Sequence, residues 1–352
     1  MIMFNRFSFL DKLFFTKHLS IMLKSGIALP EALESLEDQA KGSASKKILN
    51  GIAADVQKGK SLEHAFSKYP KAFDPLYISL IKVGEHSGSL EKNLEHLSEQ
   101  LEKEHDFRQK IQSALLYPLL VLSATACLGG GISFFILPKL VDFFEGLDVE
   151  LPLTTRILLF VATLMKEHGF LIIFTFSFLI FNFVLIVRSK LVRPHWHRFL
   201  LRLPIIGSFF KYVHLSSFCR NLGIMLESSI PIAEALEISA GGLGNEVFKA
   251  DVRKIGRSVE KGKSIEAILK KENFFEFPSI LAKMIGVGER TGNLEQNLLY
   301  LSDFFEAEVD TASKNFANIL EPLLLLGIGL VVGFVALAII SPIYQLTGSI
   351  RR

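Results

Sequence analysis

Apolar residues recur at helical spacing in two long stretches of the chain, from about Thr16 to Gln112 and from about Lys211 to Asn318. One apolar stripe in the first stretch consists of Leu90, Leu94, Leu97 and Leu101. Neither stretch shows the alternation of apolar and polar residues that is typical of half-buried strands. Each stretch is therefore predicted to form a bundle of about six helices.

Three other runs are too apolar for a soluble bundle. No Asp, Glu, Lys or Arg occurs in residues 113–138 or 169–187, and a third uncharged run extends from Pro322 to Ile350. About 20 apolar residues are enough to cross the hydrocarbon core of a bilayer as a helix. The pattern predicts an all-α membrane protein with two homologous cytoplasmic bundles and three transmembrane helices.

The predicted order of segments follows from these runs. It is an N-terminal amphipathic segment (1–15), the first bundle (16–112), a transmembrane helix (113–138), a short acidic external loop with an interfacial helix (139–168), a second transmembrane helix (169–187), a basic juxtamembrane segment with the second bundle (188–318), a third transmembrane helix (319–346) and an external C-terminus (347–352).

Basic residues predict the orientation of these segments. Arg108 and Lys110 precede the first apolar run, and a basic cluster lies in residues 188–202, directly after the second. Because Lys and Arg are enriched in cytoplasmic loops, both bundles are predicted to be cytoplasmic. Arg351 and Arg352 argue against this orientation, since they would lie on the external side.

Composition supports a membrane protein with large polar domains. The mean hydropathy is +0.36, yet 21% of the residues are charged. The net charge of +3 is small, and no dense run of Lys and Arg is present, so nucleic acid is not an expected partner.

The two bundle sequences are copies of one another. The matching segments are VGEHSGSLEKNL (83–94) with VGERTGNLEQNL (287–298), IMLKSGIALPEALES (21–35) with IMLESSIPIAEALEI (224–238), and QKGKSLEHAF (57–66) with EKGKSIEAIL (260–269). The offset is 204 residues for the first of these pairs and 203 for the other two. The second apolar run has no equivalent, and it is predicted to return the chain to the cytoplasm between the copies.

A glycine–glutamate motif is the strongest candidate site in each copy. Its members are Gly84, Glu85 and Gly88 in the first copy and Gly288, Glu289 and Gly292 in the second. The glycines are expected to permit tight turns. Two interpretations of the glutamates remain open: a carboxylate that accepts hydrogen bonds from backbone donors at the start of the next helix, or a contact with a partner protein.

Other motifs do not predict catalysis. Gly59-Lys60-Ser61 and Gly262-Lys263-Ser264 resemble the end of a phosphate-binding loop, but Ala54 and Arg257 replace its first glycine, so a helix break is predicted instead. The histidines and the acidic loop show no metal-ligand spacing. We therefore predict no catalytic, cofactor-binding or metal-binding residue.

Taken together, the chain resembles the inner-membrane platform family of type II secretion and type IV pilus assembly. The resemblance rests on the repeated segments and on YPLLV (117–121), ILPKLVDFF (136–144), LPIIGSFF (203–210) and EPLLLLGIGLVVGFVALAIISPIYQL (321–346). It adds Pro118, Glu321 and Pro322, at the start of two apolar runs, to the candidate partner-contact residues.

The resemblance implies a non-enzymatic protein of the bacterial inner membrane that forms a homo-oligomer. It implies that a cytoplasmic hexameric ATPase supplies the work, and that the platform passes this work to pilin or pseudopilin subunits alongside other inner-membrane components. The family often has an N-terminal extension associated with docking to the ATPase. This sequence begins close to the first bundle, so that contact either is missing or uses the first bundle.

Two other classes of function are compatible with the pattern. A small transporter or channel subunit would need a water-lined path, and the uncharged apolar runs argue against it. A signalling scaffold needs only helical interaction surfaces and stays open. Glycines at 129–131, 329 and 333 favour close helix packing in either case.

Overall fold

A computed structural model describes residues 7–40, 42–131, 152–189, 191–204, 206–272 and 274–349. These residues form fourteen helices and no strand. The helices are α1 (Phe9–Lys24), α2 (Leu29–Gln39), α3 (Ser43–Gln57), α4 (Leu62–Ser67), α5 (Pro75–Ser87), α6 (Leu90–Gly131), α7 (Leu153–Arg188), α8 (Arg193–Arg202), α9 (Ile206–Glu227), α10 (Ile232–Gly242), α11 (Glu246–Val259), α12 (Ile265–Glu272), α13 (Ser279–Thr291) and α14 (Leu294–Ser349). The all-α prediction is confirmed.

The same order of helices occurs twice. Helices α1 to α6 correspond to α9 to α14, and both α5 and α13 begin directly after the N-cap and end at a glycine, Gly88 or Gly292. The chain divides into two compact units. The first unit holds both copies, in residues up to Ile111 and from His197 to Asp310.

A shared core of buried apolar residues fills the first unit. In the first copy, Phe66, Phe73 and Tyr77 pack ring against ring with centroids 4.4–5.3 Å apart. In the second copy, Phe277 is the equivalent of Phe73, and it packs instead against Phe248 at 5.4 Å and Phe218 at 5.9 Å. Aromatic pairs of this kind contribute about 0.5–1.5 kcal/mol beyond the area that they bury.

The N-terminal segment belongs partly to the first copy. From Phe9 onward it is α1, whose capping box at Ser8 and Asp11 satisfies the first backbone donors. Leu13, Phe15 and Leu19 on this helix are buried in the core. The predicted boundary at residue 15 therefore falls inside a single helix.

Helices α6 and α14 are long because no break separates polar from apolar sequence. Helix α6 has 42 residues and continues through Pro118, and α14 has 56 residues and continues through Pro322. Both helices continue across the boundaries predicted near residues 112 and 318, so no turn or helix end marks the start of the predicted spans.

The second unit comprises residues 112–196 and 311–352. Within it, the Thr155 hydroxyl donates a hydrogen bond of 2.7 Å to the carbonyl of Ala338. Leu158 and Ala162 are buried beside the same alanine. The predicted interfacial helix and the second predicted span form one helix, α7, in which the segments Leu153–Ile172 and Phe174–Arg188 meet at 49°.

Among the described residues, no single helix meets the length and hydropathy needed to cross a membrane, and only that bent pair in α7 does so as a pair. Shorter apolar helices extend over Leu119–Gly131 and Pro322–Ala338. The acidic loop from Asp142 to Glu150 and residues 1–6 and 350–352 lie outside the described residues. The three spans stay a prediction.

Candidate functional site: the repeated glycine–glutamate motif

The motif lies at the junction of two consecutive helices in each copy, α5 with α6 and α13 with α14. Gly84 and Gly288 are buried where the two helices lie close together. A Cβ atom on Gly84 would lie 2.9 Å from the Cα of Leu90, and one on Gly288 would lie 2.8 Å from the Cα of Leu294. Only glycine fits this approach without displacing backbone.

The second glycine ends the first helix of each junction. Gly88 has φ 69° and Gly292 has φ 74°, in the left-handed region that glycine adopts without steric cost. The next residue closes the turn, since the amides of Ser89 and Asn293 donate to the carbonyls of Gly84 and Gly288. The predicted tight turns occur at Gly88 and Gly292, whereas Gly84 and Gly288 lie within α5 and α13 rather than in a turn.

An asparagine locks the junction from the following helix. The Asn93 Nδ2 donates to the carbonyl of Leu80 at 2.9 Å, and the Asn297 Nδ2 donates to that of Met284 at 3.1 Å. Both asparagines occupy the same position of the repeated segment. Sequence reasoning overlooked them, although their recurrence in both copies was visible.

The glutamates bind the start of a short helix. Glu85 accepts hydrogen bonds from the amides of Leu62 and Glu63, the latter at 2.8 Å. In the second copy, Glu289 accepts from the amide of Ile265 at 2.6 Å and from that of Glu266 at 3.1 Å. Each carboxylate thus has one backbone donor on each oxygen, a favourable arrangement at a helix N-terminus.

Of the two open interpretations, hydrogen bonding to backbone donors is therefore right in its chemistry and wrong in its helix, and contact with a partner protein stays a prediction. The donors belong to α4 and α12, which precede the motif, rather than to the helices that follow it. The following helix, α6 or α14, begins after the glycine turn. The end of α5 or α13 that carries the glutamate lies beside the start of the short helix, α4 or α12. Local sequence order could not reveal this contact, because it joins residues 22–24 positions apart.

The Gly-Lys-Ser segments complete the cap of the same short helices. Ser61 Oγ accepts from the amide of His64 at 3.1 Å, and Ser264 Oγ accepts from that of Ala267 at 3.2 Å. Gly59 and Gly262 have φ 76° and 78°. The predicted helix break is confirmed, because these residues end one helix and cap the next.

The charge around the two motifs differs. In the second copy, the Lys270 ammonium and the Arg290 guanidinium bind the Glu266 carboxylate and hold its pKa below the ordinary value. A Cβ on Gly286 would lie 2.1 Å from the Cδ of Glu266, so this glycine makes room for the pair. The first copy has Ser67 and His86 where the second has Lys270 and Arg290.

The other candidate residues lie elsewhere. Pro118 is on α6, and Glu321 and Pro322 are on α14, all in the second of the two compact units. Within the described part of the chain, no group of three or more His, Cys, Asp or Glu side chains could hold a metal ion.

The contact between the two copies was missed by sequence reasoning. Glu306 binds Arg220 of its own copy and Lys110 of the first copy, the latter at 3.1 Å. Gln100 of the first copy donates to Asn221 of the second at 3.4 Å. The sequence does contain one signal of the Arg220–Glu306 ion pair, because the equivalent residues in the first copy, Lys17 and Glu102, are also oppositely charged.

Comparison with known proteins explains the repeated motif. The family model described as type II secretion system (T2SS), protein F, matches the chain twice, over residues 15–138 and 218–342. The chain belongs to this family. Each match contains one copy of the motif with its glutamate and its two glycines, so the family model is itself one repeat.

Relatives of the family align over nearly the whole chain. A type IV pilus assembly protein PilC of Thermus thermophilus is 32% identical over 344 residues, which is 97% of this chain and 83% of the relative. A type II secretion system protein F of Pseudomonas aeruginosa is 31% identical over 331 residues, 94% of this chain and 81% of the relative. A PilC of Myxococcus xanthus is 30% identical over 341 residues, 97% of this chain and 81% of the relative.

Proposed function

We propose that this protein is the non-enzymatic platform of a type IV pilus or type II secretion machine. In this role it couples a cytoplasmic assembly ATPase to the insertion of pilin or pseudopilin subunits into a filament. The observation that carries the proposal is the double match to one family, whose relatives include pilus assembly proteins and secretion proteins. The two kinds of relative match about equally well, so the proposal covers both machines.

We infer that the protein lies in the bacterial inner membrane, with three spans and both copies cytoplasmic. Large apolar side chains of α7 and α14 support this inference, because Phe170, Phe174, Leu330 and Leu337 are exposed in the chain by itself. The basic cluster after α7 supports the orientation. The apolar runs that begin near Pro118 and Pro322 are the proposed guides for pilin helices.

The exposed end of the glycine–glutamate motif is the proposed partner contact. Gly88 and Gly292 lie at the surface, and no atom lies within 4 Å of a Cβ built on either. Glu85 and Glu289 are half-buried and hold the short helices beside this turn. A partner such as the ATPase can therefore approach the glycine turn, while the glutamates keep the turn in place.

Asparagine substitutions test this contact with little risk to the fold, since Asn tolerates the left-handed conformation. The Gly88→Asn and Gly292→Asn double variant is expected to accumulate normally and to impair filament assembly or secretion. The matched control is Gly59→Asn with Gly262→Asn, two other left-handed glycines with open space around them. Normal assembly by the first double variant would remove the turn from the mechanism.

The platform role itself is tested by crosslinking in intact membranes, followed by purification of the chain and mass spectrometry of its partners. Recovery of a hexameric ATPase and of pilin-like subunits is the expected result. Recovery of neither, with the chain abundant and folded, contradicts the proposal and favours the scaffold or transport functions.

A further inference from the structure

The two copies pack head to tail, with different faces in contact. The first copy contributes α5 and α6, and the second contributes α9 and α10, as the Gln100–Asn221 hydrogen bond and the packing of Arg220 on Phe107 illustrate. The surface of α9 and α10 is here called the receiving face, and that of α5 and α6 the inserting face. Because the copies are equivalent, each face exists a second time in the chain.

The receiving face of the first copy has nothing on it among the described residues. It lies on α1 and α2, where a groove of about 580 Å³ is lined by Leu10, Phe14, His18 and Gln39. The equivalents of these four residues, Val213, Ser217, Asn221 and Gly242, line the cavity between the copies together with Leu76 and Gln100 of the inserting face. The open groove is thus the same surface that the first copy covers in the second.

Exposure separates the covered from the open face. Ile224 on the covered receiving face is 7% exposed, whereas its equivalent in the first copy, Ile21, is 54% exposed. Phe14 in the open groove is 56% exposed, although its position is occupied by a serine in the covered face. The open face is therefore more apolar than the one already buried.

The second copy shows the complementary opening. Its inserting face lies on α13 and the first part of α14, where Ile280, Val287 and Phe304 are exposed. Their equivalents in the first copy are Leu76, Val83 and Gln100, which face the second copy. One chain thus has an unoccupied receiving face in its first copy and an unoccupied inserting face in its second.

We propose that a second copy of this chain binds here, with its α13–α14 face on the α1–α2 groove of the first, repeating the contact between the copies. Such a heterologous contact extends to further chains and gives a ring or an open array. The proposal concerns self-association alone, and it stands or fails independently of the ATPase and the filament subunits.

Charge at the rim supports this pairing. Within the chain, Glu234 of the receiving face lies beside Ser79, Lys82 and His86 of the inserting face. In the proposed contact, the equivalent of Glu234 is Glu31, and the equivalents of Ser79, Lys82 and His86 are Lys283, Gly286 and Arg290. An acidic residue would therefore meet Lys283 and Arg290, where the contact within the chain offers it Lys82 and His86.

The test is thiol crosslinking of the full-length chain in its native membranes, with Cys127 and Cys219 first replaced by Ser and Ala. The Gln100–Asn221 contact within the chain translates into a contact of Phe304 with His18 of the next chain. Two chains with different tags, one carrying His18→Cys and the other Phe304→Cys, are treated with a short bifunctional thiol reagent. A crosslinked pair containing both tags is expected, and a ladder of multimers when both cysteines are in one chain.

The calibrating pair, which serves as the positive control, is Gln100→Cys with Asn221→Cys, because these two cysteines must react within one chain and give no ladder of multimers. His18→Cys with Lys261→Cys, a position exposed outside both faces, must give no product. Adding Phe14→Glu to the His18→Cys chain is expected to lower the two-tag product by about tenfold, the change that ~1.4 kcal/mol produces. If the calibrating pair reacts and the two-tag product is absent, or if only like-with-like pairs or an untagged protein are captured, the proposal is wrong.

Discussion

The two copies of the repeat place the same helices around different chemistry. In the first copy, the Lys12 ammonium binds the Asp74 carboxylate at 2.7 Å, and Thr16 and Tyr77 share a buried hydrogen bond of 3.0 Å. The equivalents of these four residues in the second copy are Leu215, Pro278, Cys219 and Leu281. One fold thus tolerates either a polar network or an apolar contact at the same place.

The network shows how burial and pairing compete. Partial desolvation would raise the pKa of Asp74, whose side chain is 50% exposed, but Lys12 and the backbone amide of Tyr77 outweigh it and hold the pKa below its ordinary value. Burial raises the pKa of Tyr77 well above its usual range. The difference between the copies teaches that the motif and the helix order specify the fold, whereas the interior polar residues are specific to one copy.

A second ion pair occurs in both copies and differs in burial. The side chains of Arg220 and Glu306 are 5% and 15% exposed, because the first copy covers them, whereas those of Lys17 and Glu102 are 47% and 42% exposed. Because of this contrast, we expect the largest loss of stability from the removal of the buried carboxylate. Glu306→Ala leaves Arg220 buried without its carboxylate and is expected to cost about 3–5 kcal/mol.

Glu102→Ala is the matched control and is expected to cost less than about 1 kcal/mol, since an exposed pair contributes little. The midpoint of thermal unfolding of the detergent-solubilised chain, measured under conditions in which it is monomeric, compares the two variants. Equal effects would show that the contact between the copies does not bury the pair as described.

The polar network of the first copy is expected to give the next largest effect. Asp74→Ala leaves Lys12 unpaired, removes the N-cap of α5 and is expected to cost about 3 kcal/mol. The double variant Lys12→Leu with Asp74→Pro, which copies Leu215 and Pro278 of the second repeat, is expected to recover most of the loss. The same unfolding measurement is used, and no recovery would mean that the two interiors are not interchangeable.

Both copies should respond alike at the helix junction. Gly84→Ala and Gly288→Ala each force a Cβ against backbone at under 3 Å and are expected to cost about 1–3 kcal/mol. Gly256→Ala is the control, because its Cβ would meet Leu236 at 3.5 Å, an ordinary contact, within a helix. That variant is expected to be neutral or slightly stabilising. A loss of stability at only one junction would show that the two motifs are not equivalent.

The sequence predicted what repeats and missed what joins the repeats. The duplication, the helical pattern, the glycine turns and the Gly-Lys-Ser breaks could be predicted because each depends on neighbouring residues. The helix capped by Glu85, the position of Asn93 against Leu80 and the burial of Arg220 could not, since each needs the packing of distant segments. The boundaries of the first and third apolar runs could not be predicted as helix ends either, because α6 and α14 continue through them.

The smallest predicted effect concerns one turn after the first helix of each copy. Gly26 has φ 82°, and its equivalent in the second copy, Ser229, has φ 64°. A serine in the left-handed region pays a steric cost that glycine avoids, so Ser229→Gly is expected to stabilise the chain by about 1 kcal/mol. The reverse exchange, Gly26→Ser, is expected to destabilise it by a similar amount. Unfolding midpoints that move in the same direction for both variants would show that the two turns are held by different contacts rather than by the same backbone requirement.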